Sequence, residues 1–125
     1  MKRVVVTGLG ALTPIGNTAS AYLEGLQKGL SGAATITRFD ITNFKTKFAC
    51  EVKDFEATDF LHKREVRRLD PFEIYATIVS DEAIADAGLD SEKLDLDRVG
   101  VIWGSGIGGM TTVENEVEGF VRGNG

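Results

Sequence analysis

A chain of 125 residues with 42% hydrophobic, 26% charged and 8% aromatic residues has the composition of an ordinary globular protein, which sets aside disordered, fibrous and membrane-spanning classes. That length allows one modest core and no second independent domain. Fourteen Lys and Arg against 19 Asp and Glu give a net charge of −5, which argues against nucleic acid or anionic lipid as a general partner.

The opening residues Val4–Thr7 form a β-branched run closed by Gly8-Leu9-Gly10, the pattern of a buried strand entering a tight turn. Only three consecutive aliphatic residues follow the basic Lys2-Arg3 pair, too few for the apolar core of a signal peptide. Asn17 or Thr18 is placed to cap a helix that carries Ala21, Tyr22, Leu23, Leu26 and Leu30 at three- and four-residue spacings and stops at Gly29 or Gly32. Residues 31–47 lack periodicity and read as loop, whereas Phe48–Val52 alternates weakly and reads as a short strand.

Asp70-Pro71-Phe72-Glu73 is a strong helix start, because Asp caps, Pro suits the first turn and Glu reaches back to the cap. The spacing predicts a mostly buried helix over 71–87, ended by Gly88. Glu73, Thr77, Ser80 and Asp81 make its narrow polar strip, and Ile84 falls inside that strip, as it would if a further protein surface covered it. Arg98–Gly104 reads as a second buried strand, followed by the glycine loop Ser105-Gly106-Ile107-Gly108-Gly109 and a helix from about Thr111 to Val121. Strand, glycine turn and helix thus occur twice, which indicates an α/β sheet too narrow for the length of chain and a single incomplete domain over residues 1–125. The chain is accordingly expected to be the amino-terminal fragment of a longer enzyme.

The first glycine turn invites a dinucleotide reading, yet Thr13 stands where the fingerprint needs a third Gly or Ala, and Pro14 lacks an N–H. A sharp turn against a neighbouring segment explains Gly8 and Gly10 better. The second cluster places one branched apolar residue, Ile107, in a loop nearly free of side chains; it either lines an apolar channel as a gate or plugs the core. Ser105 lacks the Gly-x-Ser-x-Gly spacing of a nucleophile elbow, since Trp103 and Ile107 hold the outer positions. Cys50, the single cysteine, excludes an internal disulfide and reads as a small buried packing residue; it points to a reducing cytoplasmic compartment. His62 is the single histidine, so no His pair exists to hold a metal, and a surface position suits it.

Charge is unevenly spread, with 11 bases against 7 acids in residues 1–68 and 3 against 12 thereafter. Its positive focus is Lys63-Arg64-Glu65-Val66-Arg67-Arg68, where helical spacing puts Arg64, Arg67 and Arg68 on one face. Such a patch either grips an acidic protein or phosphate, or is a solvated turn paired in part with the chain's own acids.

Residues 4–17, the Arg67–Phe72 stretch and the 104–109 glycine loop together resemble the β-ketoacyl-acyl-carrier-protein synthases, most nearly the type II condensing enzymes of bacterial fatty-acid synthesis. The resemblance runs in register from Met1 to Gly125 and covers only the amino-terminal portion of that family. It implies part of the first half of a thiolase-like fold, layered αβ with a mixed sheet, in an enzyme that is usually a homodimer. The reaction it implies is a decarboxylating Claisen condensation that uses no cofactor. An acyl group moves from carrier protein to a cysteine thiolate; a malonyl-carrier thioester then loses carbon dioxide, and the resulting carbanion attacks the acyl-enzyme. No catalytic residue carries over, because Cys50 and His62 match neither the nucleophile turn nor the histidine motifs of the family. By the same resemblance, Ile107 corresponds to an apolar residue lining the acyl-chain pocket, and Arg64, Arg67 and Arg68 correspond to basic positions that dock the acidic carrier protein. The expected partners are therefore acyl-carrier protein, acyl and malonyl thioesters and a second subunit, with no nucleic acid and no membrane. The rival readings are a non-catalytic module for carrier docking and dimerisation, and a dinucleotide-binding domain.

Overall fold

The computed structural model describes residues 3–90 and 92–123. In chain order its regular elements are helix α1 (Ala19–Gln27), strands β1 (Ala33–Thr35) and β2 (Phe48–Cys50), helices α2 (Lys63–Val66), α3 (Pro71–Asp86) and α4 (Met110–Val121), and two single 3₁₀ turns at Ala57–Asp59 and Leu96–Arg98. Among the described residues no helix is long and apolar enough to cross a membrane.

The helices begin and end where the sequence chemistry places them. Thr18, not Asn17, caps α1: its hydroxyl accepts from the Ala21 N–H at 3.1 Å. Asn17 instead donates to the carbonyls of Lys53 and Asp54, at 2.8 and 3.1 Å, and so holds Asp54 in a left-handed conformation with φ of 50°. Gly29, at φ 64°, turns the chain out of α1 while the Leu30 N–H closes back on the Gly25 carbonyl at 3.0 Å. The α3 start is as its residues dictate, with Pro71 in the first turn and the Glu73 carboxylate accepting from the Asp70 N–H at 2.9 Å.

Three expectations are corrected. Among the described residues the sheet is two-stranded and antiparallel, pairing Ala33 with Cys50, Ala34 with Ala49 and Thr35 with Phe48, in place of a mixed sheet. One of its strands falls within residues 31–47, which read as loop, because a three-residue Ala-Ala-Thr strand is too short to show a period. The β-branched runs Val4–Thr7 and Arg98–Gly104 form no ladder among the described residues: a strand exists only through the hydrogen bonds of a neighbour, and no neighbouring strand lies beside either run. Their side chains stand exposed, Val4 at 92% and Ile102 at 98%.

The core is correspondingly thin. Among the described residues only Ile74 and Ile78, one turn apart on α3, are buried large apolar residues, so α3 is far less covered than its apolar arc predicts, and Ile84 is 48% exposed. The accessible surface is 10489 Å², against about 6,500 Å² expected for a folded monomer of 13.5 kDa. What core exists is built on backbone proximity. A Cβ on Gly8 would lie 2.1 Å from the Ala83 carbonyl oxygen, and one on Gly10 would lie 2.0 Å from that of Val79, so the first glycine turn presses directly on α3. The carboxylates of α3 then take its N–H groups: Asp86 accepts from Leu9 at 2.9 Å, and Glu82 accepts from Ala11 and from Ala19 at the start of α1, both at 2.8 Å.

The β1–β2 connection carries a local clasp. Glu51 accepts from the Thr37 hydroxyl at 2.7 Å and from the Thr37 N–H at 3.2 Å, and the hydroxyl bond is the chief reason its carboxyl lies below the ordinary value of 4.5. A carboxylate depressed in the folded state contributes above its unfolded value and loses that contribution as pH falls through the folded one. The Thr37 amide resonance is therefore expected to shift in an acid titration with a midpoint below 4.5; a midpoint at or above 4.5 contradicts the clasp. Replacing Gly8 or Gly10 by Ala is expected to lower stability by about 1–3 kcal/mol through overpacking against α3. Gly100→Ala, where a Cβ would meet nothing within 4 Å, is the matched control and is expected to stay within about 0.5 kcal/mol in the same thermal denaturation series.

Candidate functional site

The second glycine loop enters α4 with no capping side chain of its own, since the residue before Met110 is Gly109. The missing cap comes from 42 residues away. The Asp70 carboxylate accepts from the Thr112 N–H at 3.3 Å and from the Thr112 hydroxyl at 2.6 Å, which satisfies a donor in the first turn of α4. Gly109 makes this approach possible, because a Cβ there would lie 2.6 Å from Asp70 Oδ2. Within the loop, Ser105 Oγ accepts from the Gly108 N–H at 3.1 Å, closing a tight turn around Gly106 and Ile107. Gly108, at φ 79°, brings the chain past the Phe72 ring into α4. The loop is thus tied at its far end to the first residues of α3. Ile107 stands 82% exposed at its tip, so it does not plug the core among the described residues.

The basic turn leads into that same anchor. His62 caps α2: its Nδ1 accepts from the Arg64 N–H at 3.2 Å, and Glu65 accepts from the His62 N–H at 3.1 Å. Arg64 lies in α2, Arg67 ends it and Arg68 follows, all three exposed, and no ion pair or side-chain hydrogen bond among the described residues engages any of them. The reading of a turn neutralised by the chain's own acids therefore gains no support. Two residues after Arg68 comes Asp70, so the basic turn and the Ile107 loop meet at one carboxylate. Sequence reading missed this junction: Asp70 advertises a cap for its own helix, and nothing in the sequence marks Thr112 as its partner.

The remaining candidates take structural roles. Ser105 is occupied as a turn acceptor, and His62 as a helix cap. Cys50 is exposed, which corrects its expected burial: it lies on a face of the hairpin that no second layer covers among the described residues. Glu82 and Asp86 occupy N–H groups of the first glycine turn that a pyrophosphate would need, and their negative charge opposes one, so the dinucleotide reading loses its site. Among the described residues no group of three His, Cys, Asp or Glu side chains is placed to hold a metal ion. What the arrangement offers chemically is an exposed cationic turn next in sequence to the residue that anchors an exposed apolar loop tip, with no nucleophile–base pair beside them among the described residues.

The family description "Beta-ketoacyl synthase, N-terminal domain" matches residues 1–125. A 3-oxoacyl-acyl-carrier-protein synthase 2 from Synechocystis sp. is 50% identical over 115 residues, covering 92% of this chain and 28% of the relative. One from Staphylococcus aureus is 47% identical over 113 residues, covering 90% of this chain and 27% of the relative. The chain therefore spans less than a third of the length of the relatives it matches. Among solved structures, the ishigamide ketosynthase/chain length factor superposes with a TM-score of 0.79 at 32% identity, over 98% of this chain and 31% of that one. A type II polyketide synthase ketosynthase, bound to the hexaketide and in complex with its acyl-carrier protein, superposes with a TM-score of 0.77 at 29% identity, over 98% and 32%.

Proposed function

The chain belongs to the β-ketoacyl synthase family as its amino-terminal domain, and from that premise we propose that it is the amino-terminal portion of a cytoplasmic type II synthase that extends fatty-acyl chains by decarboxylating condensation with malonyl-acyl-carrier protein. In this reading the acyl group passes from the carrier thioester to a cysteine thiolate and the carrier thiol departs; loss of carbon dioxide from the malonyl thioester then supplies the carbanion that forms the new carbon–carbon bond. That thiolate and its histidine partners belong to the rest of the synthase, since Cys50 sits exposed on β2 and His62 serves as a cap. The 125 residues contribute two things: Arg64, Arg67 and Arg68 dock the acidic carrier protein, and Ile107 lines the acyl-chain pocket near a second, identical subunit.

The observation that carries the reading is 50% identity to a 3-oxoacyl-acyl-carrier-protein synthase 2 over 92% of the chain. Charge supports the docking role, because three exposed guanidinium groups free of ion pairs among the described residues keep their field for a partner. A ketosynthase 29% identical to this chain forms a complex with its acyl-carrier protein, which supports a carrier protein as the partner. The exposed apolar runs at Val4–Val6 and Val101–Trp103 and along α4 support a larger assembly, since exposed apolar stretches of this kind mark interfaces.

In the full-length synthase, the double replacement of Arg67 and Arg68 by Glu is expected to raise KM for the carrier-bound substrate about tenfold or more, with kcat changed less than about twofold and the wild-type affinity falling with added salt. An unchanged KM would remove the docking role. Carrier binding without any condensation would favour the non-catalytic module.

A further inference from the structure

We propose that Asp70 is a positioning residue that sets the placement of Ile107, and thereby the enzyme's discrimination among acyl-chain lengths, through its bonds to Thr112. The proposal rests on the reading of the chain as part of a condensing enzyme. Its geometry does not. Asp70 Oδ2 receives the Thr112 hydroxyl at 2.6 Å, and Oδ1 receives the Thr112 N–H at 3.3 Å, so one carboxylate caps a helix that has no cap of its own. The same residue is fixed from behind by its own N–H, which donates to Glu73, and by its place at the head of α3, whose Ile74 and Ile78 are the buried large apolar residues among those described. The anchor is therefore fixed on the α3 side.

Between the bond at Thr112 and the exposed run ending at Gly104 lie three glycines, Gly106, Gly108 and Gly109, so loop residues 106–109 have little side-chain packing to define their path. A Cβ at Gly104 or Gly106 would meet nothing within 4 Å. Among the described residues that path is defined by the Ser105–Gly108 turn, the Asp70 contact, the approach of Gly108 to the Phe72 ring and the backbone bonds from the Met110 and Val113 N–H groups to the Gly108 and Gly109 carbonyls. Releasing Thr112 leaves the start of α4 free to fray, and the position of Ile107 frays with it.

The test uses the full-length synthase carrying Asp70→Ala, Thr112→Val or Asp70→Asn. Two measurements are read: amide hydrogen exchange across 104–112, and the ratio of kcat/KM for the best and the poorest acyl-carrier primers. Asp70→Ala and Thr112→Val are expected to raise exchange of the loop about tenfold. Both are expected to bring the primer ratio toward one by several-fold, at a Tm close to wild type; Asp70→Asn, which keeps an acceptor, restores most of both. Unchanged exchange overturns the anchor, and raised exchange with an unchanged primer ratio overturns the link to chain length. If the wild-type protein forms no β-ketoacyl product, the condensing-enzyme reading and the chain-length role fall together, while the exchange data still decide whether Asp70 holds the loop.

Discussion

Everything described in this chain hangs on the near contact between the backbone of the first glycine turn and one face of α3. With Cβ positions only 2.0 and 2.1 Å from the carbonyl oxygens of Val79 and Ala83, no other residue fits at Gly10 and Gly8 without moving the helix. The approach brings Glu82 and Asp86 within reach of the turn's N–H groups, and Glu82 also takes the first N–H of α1. One helix face thus positions the opening segment and the helix after it, through close backbone packing and charge-assisted hydrogen bonds and with little buried side-chain volume.

The other end of α3 does comparable work. There Asp70 reaches forward across 42 residues to the start of α4, and the basic turn leads directly into it. Helix α3 is in this sense a beam with a glycine segment held at each end. The segment at its carboxyl-terminal end is closed by protein carboxylates and is structural. The one at its amino-terminal end is held by the Asp70 carboxylate and passes the Phe72 ring, carries the exposed Ile107 and adjoins three exposed arginines.

Local chemistry made the helices legible. Pro71 and Glu73 announce the start of α3, Thr18 caps α1, and the end of α4 falls where the spacing predicts. The strands were legible only as appetite for cover: Val4–Thr7 and Arg98–Gly104 have the residues of buried strands, but a ladder is a property of two segments, and one segment's sequence does not supply the other. Cys50 misled for the same reason, since its burial depends on a layer over the hairpin and not on its neighbours in sequence. At the candidate site, the residue types of the basic turn and the glycine loop could be read directly, whereas their junction at Asp70 could not. A carboxylate at a helix start looks the same in sequence whether it caps its own helix alone or a second one as well.

The central claim is that a protein built on these residues condenses acyl and malonyl carrier thioesters, and the most direct measurement is the product formed by the full-length chain from acyl- and malonyl-acyl-carrier protein, read by mass spectrometry of the carrier. The account predicts a β-ketoacyl carrier species two carbons longer than the primer, with loss of carbon dioxide, and none from the 125 residues alone. Substrates returned unchanged by the full-length protein, or product formed by the 125-residue chain by itself, would contradict it.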